Sequence, residues 1–196
     1  MLNKVIYDEM KKNNNIITTA RALEIGISKS LLSKYAKQGL IERVRQGVYI
    51  IPDSIHDDMY TLMLRSENII FSHESALFLL GLSDRTPFEH SLTIPTNTSL
   101  PGTLKNECTC YYISPKLHKI GLIEKKTTFG NTVRCYNAER CICDLLRSRN
   151  RLDEETVLSS IKNYISFKDK DLNRLYKYAV LFHVEKKIKT YLEVLL

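Results

Sequence analysis

The chain has no tryptophan and is sparing with its chain-breakers, holding 7 glycines and 5 prolines in 196 residues. That scarcity excludes collagen-like and low-complexity architectures, and 43% hydrophobic with 26% charged residues excludes a largely disordered one. No apolar run approaches the roughly 18 residues of a membrane span. The N-terminal segment has no apolar stretch behind a basic start, so neither a leader nor a membrane partner is expected and the default address is the cytoplasm. The five cysteines, Cys108, Cys110, Cys135, Cys141 and Cys143, include no C-x-x-C pair. Reduced, mostly buried thiols are expected rather than a metal knuckle. Phosphate-cradling glycine loops and the G-x-S-x-G elbow are absent as well. His73 and Glu74 open an H-E pair, but Leu77 stands where a zinc protease needs its second histidine. No catalytic residue, cofactor or metal ligand is therefore expected, and the chain does not read as an enzyme.

What is present is charge, unevenly spread. The net charge is +7, and residues 1–52 alone hold nine Lys or Arg against four Asp or Glu. Residues 53–150 balance at eleven each, and residues 151–196 carry nine against seven. Excess cation in one segment points to a polyanionic partner for that segment.

Leu2, Val5, Ile6 and Met10 recur at helical spacing until Asn13, Asn14 and Asn15 stop the helix. Thr18 or Thr19 can cap a short second helix ended by Gly26, and Ser28 a third over residues 29–38. Helix, glycine-containing turn, helix is the helix-turn-helix pattern. On a helical wheel Lys29, Ser30, Ser33, Lys34 and Lys37 fall on one arc, while Leu31, Leu32, Tyr35 and Ala36 fall on the other. The apolar arc suits packing; the arc of hydroxyls and long cations suits a DNA groove. Leu40 to Val44 and Val48 to Ile51 then read as a hairpin turned at Arg45, Gln46 and Gly47. A hairpin in this place is a wing, with Arg43 and Arg45 near its tip for phosphate or minor-groove contacts, and with Val48 and Tyr49 facing a small core. Thr18, Arg21, Lys29, Ser30, Ser33, Lys34, Lys37, Arg43 and Arg45 are the expected DNA-contacting residues.

A boundary is expected at Pro52, giving a winged helix-turn-helix over 1–52 and a second domain over 53–196. The latter reads as α+β. Short strands are expected at 92–95 and 111–113, a hairpin at 123–127 with 132–136, and helices from 57, 72 and 137 and from 153 to the end. His73 and Glu74 are expected to make capping and interdomain hydrogen bonds, and Arg140 with Asp144 a structural ion pair. Leu172, Leu175, Tyr176, Ala179 and Phe182 form an apolar stripe expected in a core, beside a solvated Lys186, Lys187 and Lys189.

These segments carry a resemblance. GLIERVRQGVYII (Gly39 to Ile51), FSHESALFLLGLSDRTP (Phe71 to Pro87), LTIP (Leu92 to Pro95), TTFGNTVRCYNAERCICDLLRSR (Thr127 to Arg149) and YLEVLL (Tyr191 to Leu196) resemble the AbiEi antitoxins of type IV toxin–antitoxin, abortive-infection systems. One departure is Cys141, where the family pattern has Thr after Glu-Arg. The resemblance implies a repressor whose N-terminal module binds inverted repeats in its own promoter. It also implies a C-terminal domain that counteracts a nucleotidyltransferase-like toxin of the AbiEii type without a stable complex. Two other classes stay compatible with the residues: a ligand-responsive winged-helix regulator, and a nucleic-acid enzyme using Asp53, Glu124, Lys125 and Lys126. No heptad seam sets an oligomeric state, so a monomer that meets its twin on DNA is compatible with the sequence.

Overall fold

The computed structural model describes residues 1–83, 85–98 and 102–195. Asp84 and Leu196, within two of the segments that carry the family resemblance, lie outside the described residues. The protein is a mixed α+β chain that divides into two compact units, Met1–Glu67 with Lys126–Thr132, and Asn68–Lys125 with Val133–Leu196.

The first unit opens with α1 (Lys4–Lys12), capped by the Asn3 side chain, which accepts from the Val5 amide. Asn14 and Asn15 both take left-handed backbone, φ 52° and 65°, which asparagine tolerates better than most residues. They turn the chain into β1 (Ile16–Thr18), too short to announce itself in the sequence. Then come α2 (Thr19–Glu24), α3 (Lys29–Lys37) and the hairpin β2 (Glu42–Arg45) and β3 (Val48–Ile50). β3 is central, pairing antiparallel with β1 on one side and β2 on the other.

Strand alternation splits this sheet between two cores. Ile17 and Tyr49 pack with Ile6, Met10, Ala22, Ile27, Leu32 and Ile41 of the helical layer. Ile16, Val48 and Ile50 pack on the opposite face with Val44, Tyr60 and Leu64. Val48 therefore does not share Tyr49's core as expected; the second core needs α4 (Asp58–Met63), which follows Pro52. Buried Asp57 caps α4 by accepting from the Tyr60 amide at 3.0 Å. Its other carboxylate oxygen accepts from the Thr127 hydroxyl and from Asn131 Nδ2 at 2.9 Å. Asn14 Nδ2 donates to Asn131 Oδ1 at 2.9 Å. The compact units divide after Glu67, and residues 126–132 fall with the first unit.

The second unit contains β4 (Ile70–Phe71), α5 (His73–Leu79), β5 (His90–Pro95), α6 (Gly102–Glu107), β6 (Cys108–Ile113) and α7 (Pro115–His118). β7 (Leu122–Lys126), β8 (Thr132–Tyr136), α8 (Ala138–Arg147), a 3-10 turn at Arg149–Arg151, α9 (Glu154–Ser166), α10 (Leu172–Leu181) and α11 (Glu185–Leu195) complete the chain. The sheet order is β6-β5-β4-β8-β7, with β5 parallel to β6 and antiparallel to β4, and β4 parallel to β8.

α8 is the axis of this unit, buried from Ala138 to Leu146. Burying Ile142, Leu145 and Leu146 stabilises the fold by about 1.5–3 kcal/mol each. Its charged residues are buried with partners. Glu139 accepts from Tyr164 Oη at 3.2 Å and from the Asp171 amide at 2.9 Å. Arg140, fully buried, pairs with Asp144 at 2.9 Å, as its spacing predicts. It also donates to the carbonyls of Leu117 (3.0 Å) and Ile120 (2.9 Å) and sits 4.2 and 4.0 Å from the ring centres of Tyr136 and Phe182. Of the apolar stripe on α10, Leu175, Ala179 and Phe182 are buried, whereas Leu172 and Tyr176 are exposed. All five cysteines are free thiols, with only Cys110 partly exposed, and burial pushes Cys135 and Cys143 up to about 12. Among the described residues no helix is long and apolar enough to cross a membrane.

Candidate nucleic-acid interface

α3 is fixed at its start by Ser28, whose hydroxyl accepts from the Leu31 amide at 3.2 Å. Leu32 is wholly buried, and Leu31, Tyr35 and Ala36 pack on the same core. The opposite face is left to solvent: Lys29, Ser30, Ser33, Lys34 and Lys37 are all exposed. No carboxylate interrupts the helix over Lys29–Lys37. This is the division that the 3.6-residue period dictates, with cations standing over short hydroxyls. Ser30 is the least available of the set, because its hydroxyl lies 2.9 Å from that of Ser28.

The hairpin carries Arg43 exposed and Arg45 half-buried, with a register shift between them. The shift lets Val44 turn into the second core while Arg43 points away from it. At the turn, Gly47 takes φ 76° and its carbonyl accepts from the Thr19 amide at 2.8 Å, tying the tip to the start of α2. Gln46 is exposed between Arg45 and Gly47. Its side-chain amide can both donate and accept, and only its place in the turn marks it in the sequence.

Two of the expected residues are occupied locally. Thr18 is the N-cap of α2, its hydroxyl accepting from the Arg21 amide at 3.1 Å. Arg21 is ion-paired with Glu9 at 2.6 Å and with Glu24 at 2.9 Å. The Arg21 hydrogen bond holds the Glu9 carboxyl below the usual carboxylate range. Glu9 lies on another helix twelve residues earlier, a partnership that no local spacing reveals. Thr18 and Arg21 thus both have partners within the first unit.

The rival carboxylate–lysine set is not assembled within either unit, since Asp53 and Lys126 fall in the first and Glu124 and Lys125 in the second. Among the described residues no three His, Cys, Asp or Glu side chains gather as metal ligands. His73 meets Ser72 at 3.0 Å and Ser148 at 3.1 Å through its ring nitrogens. Both partners belong to the second unit, so these bonds are not the expected interdomain ones.

The chain resembles the crystal structure of the RV2827C protein from Mycobacterium tuberculosis, with a TM-score of 0.64 at 14% identity, over 90% of this chain and 70% of that one. At that identity the likeness is one of fold. No curated protein is similar enough to the chain to count as a match. The helix-turn-helix and hairpin coincide with the family described as "Transcriptional regulator, AbiEi antitoxin", which matches residues 6–52. Residues 6–52 are thus similar to that family of transcriptional regulators, and the rest of the chain lies outside the match.

Proposed function

We propose that the N-terminal unit is a winged helix that binds duplex DNA at inverted repeats in the promoter of its own operon and represses it. The observation that carries this reading is the exposed, carboxylate-free face of α3, with Lys29, Lys34 and Lys37 around Ser33. Arg43 and Arg45 on the hairpin extend it toward the flanking phosphates or minor groove. Thr18 and Arg21 at the start of α2 complete the set, Arg21 reaching phosphate by exchanging its carboxylate partners. The second unit is the antitoxin part. It opposes an AbiEii-type nucleotidyltransferase toxin of a type IV, abortive-infection system in the cytoplasm, without forming a stable complex. That half of the reading rests on the family of the N-terminal unit and on the resemblance of the later segments. No enzymatic step is assigned to the chain.

Footprinting of the full chain on the DNA upstream of its operon tests the first half. Paired protected half-sites on inverted repeats are expected; uniform protection without repeats overturns promoter-specific repression. Co-expression with the neighbouring nucleotidyltransferase tests the second half. Growth is rescued by the full chain and by the Lys34→Ala, Arg43→Ala variant alike. Rescue that disappears with DNA binding overturns the division of labour between the two units.

A further inference from the structure

The second unit encloses a small polar cavity of about 140 Å³ that neither repression nor the helix-turn-helix explains. A chain of hydroxyls runs through its lining around one imidazole, Thr93 and Ser72 buried and Ser148 half-buried. Thr93 Oγ1 donates to Ser72 Oγ at 2.8 Å, Ser72 Oγ meets His73 Nδ1 at 3.0 Å, and His73 Nε2 meets Ser148 Oγ at 3.1 Å. His73 is 2% exposed and holds a left-handed backbone at φ 46°, a conformation costly for a residue with a side chain. The Tyr111 ring stacks on it at 3.5 Å and 13°.

Two guanidiniums border the same cavity. Arg147 gives Nη1 to Asp144 at 3.2 Å, and Arg151 gives Nη1 to the Cys110 carbonyl at 3.5 Å while lying 4.3 Å from the Tyr111 ring centre. The remaining nitrogens of both have no hydrogen-bond partner among the described residues, leaving most of two donor forks open. Among the described residues Asp144 is the only carboxylate lining the cavity, and it is already shared by Arg140 and Arg147. The local potential is accordingly positive. His73 is held neutral, its pKa lowered to about 3 by burial and then by Arg140, Arg147 and Arg151.

Open guanidinium forks and neutral hydroxyls around a small cavity match a tetrahedral oxyanion. The volume equals about four to five water molecules, which admits a phosphate group and excludes a nucleoside. Tyr112, 44% exposed, borders the same cavity and offers an aromatic surface to whatever the phosphate is attached to. From this arrangement we infer that the cavity binds a phosphate group, either free phosphate or the phosphate of a mononucleotide. Arg147 and Arg151 are its charged donors and Ser148 its neutral one.

Isothermal titration of the full chain at constant ionic strength, with inorganic phosphate, AMP and adenosine, tests this. Saturable one-to-one binding of phosphate and AMP is expected, with none for adenosine. Arg151→Gln, an exposed position outside the core, weakens it about tenfold or more. Ser148→Ala weakens it less. Tighter binding of AMP than of phosphate, lost in Tyr112→Ala, assigns the mononucleotide; equal affinities assign free phosphate. Absence of saturable binding to both anions overturns the proposal, as does adenosine binding as well as AMP, or affinity unchanged in the Arg151→Gln protein. Because no DNA is present, these outcomes are independent of the repressor reading.

Discussion

Replacing Arg140 with Ala removes the centre of the second unit's buried polar structure. The side chain is wholly buried, and its truncation leaves Asp144, 2% exposed, with only the longer Arg147 contact. It also strips the donor from the Leu117 and Ile120 carbonyls. Breaking one side of a buried ion pair costs about 3–5 kcal/mol, because the remaining charge stays desolvated. The two abandoned carbonyls place the expected loss at the top of that range, about 5 kcal/mol. With a urea slope of about 2 kcal/mol per M, the unfolding midpoint followed by far-UV circular dichroism falls by about 2.5 M. The Arg140→Met, Asp144→Leu double variant, which removes both charges, recovers the ion-pair share of that loss but not the share of the two carbonyls. A midpoint shift below about 0.5 M for Arg140→Ala would mean that the pair behaves like a surface salt bridge, and the reasoning would be refuted.

Other consequences follow from two glycines and a buried histidine. Gly121 holds φ 80°, and a Cβ there would stand 2.7 Å from Arg140 Cβ, so Gly121→Ala destabilises by more than 2 kcal/mol, roughly the upper cost of left-handed backbone alone. Gly130, at φ 84° with open space around it, is the control, and Gly130→Ala costs only that backbone term of about 1–2 kcal/mol; urea midpoints of the two separate clash from strain. Stability also depends on pH through His73. Its folded pKa is depressed to about 3, so above about pH 6.5 both states are neutral and the contribution is fully present. As pH falls from about 6.5 toward 3, the unfolded chain takes up the proton and the folded one does not, so stability is lost. Between pH 7.5 and 5.5 the loss is about 1.4 kcal/mol. His118, shifted the same way by burial, adds to it, and His73→Asn removes the His73 share from the measured pH profile.

How much of this was legible in the residues differs by element. The two-faced α3 could be read directly, because one period assigns both the packing of Leu32 and the exposure of Lys34. Arg140 with Asp144 was legible for the same reason, being four apart on one helix. What failed depended on partners distant in sequence. β1 is three residues long and becomes a strand only because β3 pairs with it. Val48 looked like a neighbour of Tyr49, yet consecutive strand residues face opposite ways, and the second core is filled by Tyr60 and Leu64. Asp57 looked like part of a polar linker; it is a buried cap held by Thr127 and Asn131, seventy or more residues later. Arg21 counted as free charge until Glu9 was brought beside it. Ser72 occupies the N-cap position of α5 but makes no capping hydrogen bond, since its hydroxyl serves Thr93 and His73.

The central claim, that the open face of α3 and the hairpin hold DNA through its phosphates, is tested most directly by the salt dependence of operator affinity. For wild type, log K falls linearly with log salt at about 0.9 per phosphate contacted. Lys34→Ala and Arg43→Ala each flatten that slope by about 1, the double variant by about 2, while Arg21→Ala, whose guanidinium is held by Glu9 and Glu24, changes it less. A double variant whose slope and affinity match wild type from low to high salt would contradict the claim.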